Sequence, residues 1–146
     1  MSSETGNPKL RKLFRKVTRQ MALELDGFAK ALRAGSPHRE TLDKAYSIAH
    51  SLHGAGEPYG HPCLSELGAA LEKVIAALRS GDLAAAEPVI GLFDSSAAAL
   101  RDLSADAAPK AVCERVRDLA WNCQCALRGN PSSDRGGRDC ARPLAP

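Results

Sequence analysis

The sequence predicts an all-α fold: an antiparallel four-helix bundle with an additional C-terminal helix and a disordered tail. Three observations carry this. Apolar residues recur at spacings of three and four along five separate segments. Alanine and leucine dominate while β-branched residues are sparse and aromatics make up only 4%, a composition that favours helices over strands. No segment shows the strict alternation of a half-buried strand. With 146 residues the chain reads as one domain, long enough to bury a core without disulfides or metal.

The first helix carries Leu10, Leu13, Phe14, Val17, Met21, Leu25, Phe28 and Leu32 on one stripe. Pro8 suits its first turn, and Gly35-Ser36-Pro37 stops it. The second begins near Pro37 or Arg39 and runs through His53, with Leu42, Ala45, Ile48, Ala49 and Leu52 inward; Gly54, Gly56, Pro58 and Gly60 are expected to break it. The third spans about Pro62–Arg79, with Leu64, Leu67, Leu71, Val74, Ile75 and Leu78 facing the core. After it, Gly81 suits a left-handed cap and Asp82 the start of the next helix.

The fourth helix covers roughly Leu83–Leu103 with Ala86, Ile90, Phe93, Ala97, Leu100 and Leu103 inward. Pro88 either kinks it or marks its true start. The fifth, Pro109–Arg128, aligns Val112, Val116, Leu119, Ala120, Cys123 and Leu127. It is expected to pack on the side of the bundle or cap one end. The organisation is therefore a bundle over 8–104, an accessory helix over 109–128 and a disordered tail over 130–146, rich in Gly, Pro, Ser, Arg and Asp.

The net charge of +3 excludes little, but Lys9, Arg11, Lys12, Arg15, Lys16 and Arg19 crowd the first helix. Such a run is a solvated helix face, or it steers an acidic partner, a membrane surface or nucleic acid. No nucleic-acid motif or aromatic stacking platform accompanies it. No run approaches a membrane span, and the N-terminus lacks the apolar core of a signal peptide. The five cysteines fit no disulfide framework, so a reduced, cytoplasmic setting is expected, with Cys113 and Cys123 as small core residues and Cys140 exposed.

His50 is the residue that chemistry singles out. At ~100° per residue it lies roughly 140° from the centre of the second helix's apolar stripe. Periodicity therefore puts this imidazole on the outside of the bundle. Gly54 follows one turn later on nearly the same face. A glycine there costs the helix ~1 kcal/mol relative to alanine, yet it clears space beside the imidazole. An exposed, unobstructed nucleophile on a rigid element suits transfer of a group to a macromolecular partner.

The stretch "AHSLHGAGEPYG" (49–60), followed by "LSELGAALE" (64–72), resembles the signature of histidine-containing phosphotransfer (HPt) domains. That signature is roughly A-H-x-L-K-G, a glycine-containing turn with another Gly six residues on, and a leucine-rich helix; Ala49, His50, Leu52, Gly54 and Gly60 match it. The stretches 13–32 and 41–52 fit the family's first two long helices, and the resemblance covers about 8–104. It implies an antiparallel four-helix bundle in which His50 carries a phosphoryl group, received from or passed to the aspartate of a response-regulator receiver domain, or taken from a sensor histidine kinase. It implies no cofactor in this chain, since Mg²⁺ belongs to the receiver. It also implies partner contacts at Tyr46, His53 and Gly54, and a monomer with no nucleic acid or membrane.

Two positions sharpen that reading. Where the family usually has lysine three residues after the active histidine, this chain has His53. Imidazole is only partly charged near neutral pH, so slower or more pH-dependent transfer is expected. Glu72 matches a glutamate that hydrogen-bonds the active imidazole in chemotaxis-kinase phosphotransfer domains; its alternative is a solvated helix residue. Tyr46 and Asp43, one and two turns before His50, are either ordinary surface residues or contacts for the receiver, Asp43 alternatively acting as a local electrostatic influence. No glycine-rich nucleotide loop is present, so the chain is expected to be a transfer intermediate rather than an autonomous kinase. Two rivals stand beside this: a bundle that binds a receiver or kinase without carrying phosphate, and a metal-binding bundle drawing on His50, His53, His61 and Cys63.

Overall fold

A computed structural model describes residues 8–35, 37–105 and 109–128. Among these residues the chain is all-helical, with α1 (Pro8–Ala34), α2 (Arg39–Ala55), α3 (Pro62–Ser80), α4 (Glu87–Ser104) and α5 (Pro109–Arg128) and no strand. The expected tail over 130–146, with Cys140, lies outside the described residues.

Each helix forms because its apolar stripe has a partner to bury it. α1 packs against α4 and α2, α2 also against α3, and α5 against both α3 and α4. Paired contacts run in opposite senses along α1 and α4: Arg33 meets Glu87 and Asp94, Phe28 meets Phe93 edge-on, and Asp26 meets Arg101. One continuous core results, from Phe14, Leu25 and Phe28 of α1 to Val112, Val116, Ala120 and Cys123 of α5. The fifth helix thus lies alongside the others and shares their core.

Several expectations are corrected in detail. Leu13 stands 48% exposed, because Phe14 takes the inward place and the stripe continues through Thr18. Thr18 is buried at no polar cost, since its hydroxyl donates to the Phe14 carbonyl at 2.8 Å. Gly54 does not break α2, which runs through it to Ala55. Gly81 does close α3 in the left-handed region, at φ 86°. Asp82, however, does not cap α4; it accepts a hydrogen bond from the Ser80 hydroxyl at 3.0 Å. α4 begins at Glu87 with Pro88 in its first turn, and Ala86, expected inward, is its exposed, extended N-cap.

The cysteines also depart from expectation. Cys63 at the start of α3 and Cys113 in α5 are joined as a disulfide with their Cα atoms 5.9 Å apart. A sequence separation of 50 hides this pairing, which exists because α5 packs on α3. Cys123 is a core residue as expected, and burial pushes its thiol up to about 12. No helix of the described residues is long and apolar enough to cross a membrane.

Candidate functional site

The site is built on the seam between α2 and α3. The seam is close because α3 carries Gly68 in its middle. A Cβ at that position would lie 2.7 Å from the His53 Cα and 2.8 Å from the Ala49 carbonyl oxygen. Only a residue without a side chain lets the two backbones approach this far. The glycine interrupts an otherwise strong helical run, "LSELGAALE", and that interruption is the signal in the sequence for a close crossing.

Gly68 and Glu72 are four residues apart, hence neighbours on one face of α3. The crossing therefore delivers the Glu72 carboxylate to the flank of α2. There Glu72 Oε2 lies 2.8 Å from His50 Nδ1 and 3.4 Å from His53 Nδ1. His50, His53 and Glu72, from separate readings of the sequence, thus converge on one oxygen. The side chain of His50 is 73% exposed while that of Glu72 is 15% exposed. A half-sheltered carboxylate holds an imidazole that otherwise stands in water. The two imidazoles are edge to face, with ring centroids 6.4 Å apart.

The bond has a chemical consequence. An ionised carboxylate only accepts, so the imidazole it binds donates through Nδ1–H. In the neutral ring Nε2 then keeps its lone pair and is free to attack.

Gly54 lies on the same wall and behaves oppositely to Gly68. A Cβ added there would meet nothing within 4 Å. The chain's own packing does not require glycine at this position.

Tyr46 and Asp43 sit farther along α2 and are engaged by one residue that the sequence reading passed over, Arg79 of α3. Its guanidinium lies 5.0 Å from the Tyr46 ring centroid and donates to Asp43 at 2.8 Å. Tyr46 is half-buried against the core. These contacts, with His50–Glu72, run in opposite senses along α2 and α3 and lock their register. The pairing of a long cation with an acid and a ring on the neighbouring helix was not legible without knowing that the helices are neighbours.

The end of the seam is clamped rather than loose. In the turn after α2, the His61 N–H donates to the Gly56 carbonyl at 2.7 Å. Phe14 of α1 stacks on His61 with centroids 4.6 Å apart and packs against Tyr59 at 5.0 Å. Burial of His61 lowers its pKa from the ordinary imidazole value. His61 and Cys63 are therefore committed to packing and to the disulfide, and do not join His50 and His53. Among the described residues, the set of side chains that brings metal-binding atoms together is instead His50, His53 and Glu72.

No protein-family model, no curated protein and no solved structure matches this chain.

Proposed function

We propose that this chain is a histidine phosphotransfer protein, in which His50 exchanges a phosphoryl group with the aspartate of a response-regulator receiver domain. The single observation that carries the reading is the exposed His50 imidazole held through Nδ1 by Glu72. The resemblance of residues 49–60 and 64–72 to HPt domains supports it independently of that geometry. In this reading α1–α4 form the antiparallel four-helix bundle and α5 lies alongside. The protein works as a monomer and takes its phosphate from the receiver or from a sensor kinase.

The step balances within the two partners. The His50 Nε2 lone pair attacks the phosphorus of the aspartyl phosphate. The N–P bond forms in line as the P–O bond to the aspartate breaks, and the carboxylate leaves with the electron pair. The imidazole keeps its Nδ1 proton and becomes cationic, and the Glu72 carboxylate opposite that proton offsets the charge. Return of the phosphoryl group reverses each event. The Mg²⁺ and the acceptor carboxylate belong to the receiver, so this chain contributes the nucleophile, its orientation and a docking wall. Gly54 fits that wall, because its open space is available to a visiting surface.

The test uses the full chain and receiver domains phosphorylated with acetyl phosphate. Acid-labile, base-stable phosphate is expected on His50 and is expected to vanish in His50→Gln with the helical fold intact by circular dichroism. If no receiver and no small phosphoramidate donor labels His50, the reading is wrong. A chain that binds a receiver without acquiring phosphate would be the non-phosphorylated regulator instead.

A further inference from the structure

We propose that His50, His53 and Glu72 form a binding site for a divalent transition ion of the zinc class, and that a bound ion and a phosphoryl group exclude each other at His50. The second half rests on the phosphotransfer reading; the first does not.

The donor set comes from two helices. His50 and His53 stand three residues apart on α2, and Glu72 reaches them from α3. One ligand atom from each lies within 4.8 Å of the others. A tetrahedral ion with bonds near 2.0–2.1 Å needs its ligand atoms about 3.3 Å apart. Glu72 Oε2 is already 3.4 Å from His53 Nδ1 and must open slightly from 2.8 Å to His50 Nδ1. The two imidazole nitrogens, within 4.8 Å of each other, must also draw together, and with His50 73% and His53 48% exposed at the side chain both adjustments meet little packing. Two imidazoles and one carboxylate suit zinc and its neighbours, whereas magnesium and calcium prefer all-oxygen sets. Three protein ligands leave a fourth position for water. The second histidine makes the set: Glu72 and His50 alone would supply only two donors.

Exclusion follows from where the proton sits. An ion on His50 Nδ1 takes that lone pair, and the neutral ring then carries its proton on Nε2. Nε2 is the atom that must attack phosphorus, so the metallated imidazole has no nucleophile to offer. Conversely, phosphorylation at Nε2 leaves the proton on Nδ1 with no second nitrogen to move to, so the ion can bind there only by releasing that proton to solvent and breaking its bond to Glu72, which opposes binding. In the unphosphorylated ring the proton moves between the two nitrogens, and no redox partner is involved.

The experiment titrates Zn²⁺ into the full chain against a chromogenic chelator. A site is expected that weakens by at least about tenfold in His53→Lys and in Glu72→Gln, since even disturbing an outer-shell partner of a metal costs that much. His61→Gln and His38→Gln are expected to leave it unchanged. Equal zinc affinity in His53→Lys and the parent chain would place the ion elsewhere and overturn the site. Long-range ¹⁵N–¹H spectra read the exclusion directly: Zn²⁺ is expected to move the His50 proton from Nδ1 to Nε2. Saturating Zn²⁺ is expected to stop phosphoramidate labelling of His50 in the parent chain, to be reversed by chelator, and to need at least about tenfold more Zn²⁺ for the same inhibition in His53→Lys. Continued labelling with the triad loaded overturns the exclusion. Absence of labelling under every condition overturns the phosphotransfer reading and the exclusion with it, while the zinc titration still decides the site.

Discussion

Gly68 and Gly54 sit on opposite sides of the same short stretch of α2, and they do opposite things. Gly68 faces inward from α3 and is pressed against the backbone of Ala49 and His53. Gly54 faces outward, and nothing lies within reach of a Cβ there. Both cost their helices the same conformational freedom. Only Gly68 recovers that cost inside the molecule, through the close crossing that brings Glu72 to His50. The contrast separates architecture from use: one glycine builds the site, and the other matters only when something else arrives.

The largest expected effect is at the inner glycine. Gly68→Ala drives a methyl group into the α2 backbone, which has no flexible side chain to yield. Overpacking of this kind costs about 1–3 kcal/mol, more than the ~1 kcal/mol that alanine returns as helix propensity. Urea unfolding should show a lower midpoint, and the His50 Nδ1–H resonance should lose its hydrogen-bonded shift. A variant as stable as the parent with that shift retained would show that the crossing does not govern the site.

Glu72→Gln tests what the crossing delivers while leaving the crossing alone. The amide keeps the size of the side chain but no longer holds the Nδ1 proton with a charge or offsets a cationic phosphoimidazole. Labelling of His50 by phosphoramidate should slow about tenfold, equivalent to ~1.4 kcal/mol, with unfolding nearly unchanged because both partners are partly in water. An unaltered rate would mean that Glu72 is a neighbour of His50 without a part in orienting it.

The outer glycine should respond with the opposite sign. Gly54→Ala is expected to stabilise the fold by roughly 0.5–1 kcal/mol, the ordinary gain for a helical position with room for a methyl group. Gly54→Leu should also fold, but it should slow transfer from a phosphorylated receiver while leaving labelling by phosphoramidate untouched. Loss with both donors would place the defect in His50 itself rather than in docking.

The same contrast explains what was legible in the sequence. Periodicity within one helix suffices to turn His50 outward, to place Leu42, Ala45, Ile48, Ala49 and Leu52 inward and to find α5, because each depends only on residues a few positions apart. Gly81 is likewise a local signal, since its left-handed backbone is demanded by its own turn. Features that depend on which helices become neighbours were not legible. Arg79 spans to Tyr46 and Asp43, Cys63 pairs with Cys113, and Gly68 marks a close approach in the sequence without saying which helix approaches. Thr18 occupies an apolar stripe because its hydroxyl bonds back to Phe14, a local solution that a hydrophobic pattern does not register. Glycine at position 54 predicts the end of α2, but the helix runs two residues past His53, to Ala55, with Leu52 and Ala49 buried beneath it.

The smallest effect concerns the clamp that closes the seam. His61 is half-buried against Phe14, and burial lowers its pKa below the ordinary 6.5. Between that lowered value and 6.5 the unfolded chain binds a proton that the folded chain does not. Stability therefore rises with pH across this window. The contribution is whole above the ordinary value and is lost as the solution is acidified toward the folded one. His61→Gln removes the titrating group, so its melting temperature should fall less than that of the parent between pH 7.5 and 5, and the difference between the two curves should be flat above about pH 7. If the two proteins lose stability in parallel, the acid sensitivity belongs to other groups, and the turn after α2 is held by Tyr59 and its backbone bonds rather than by the stacked imidazole.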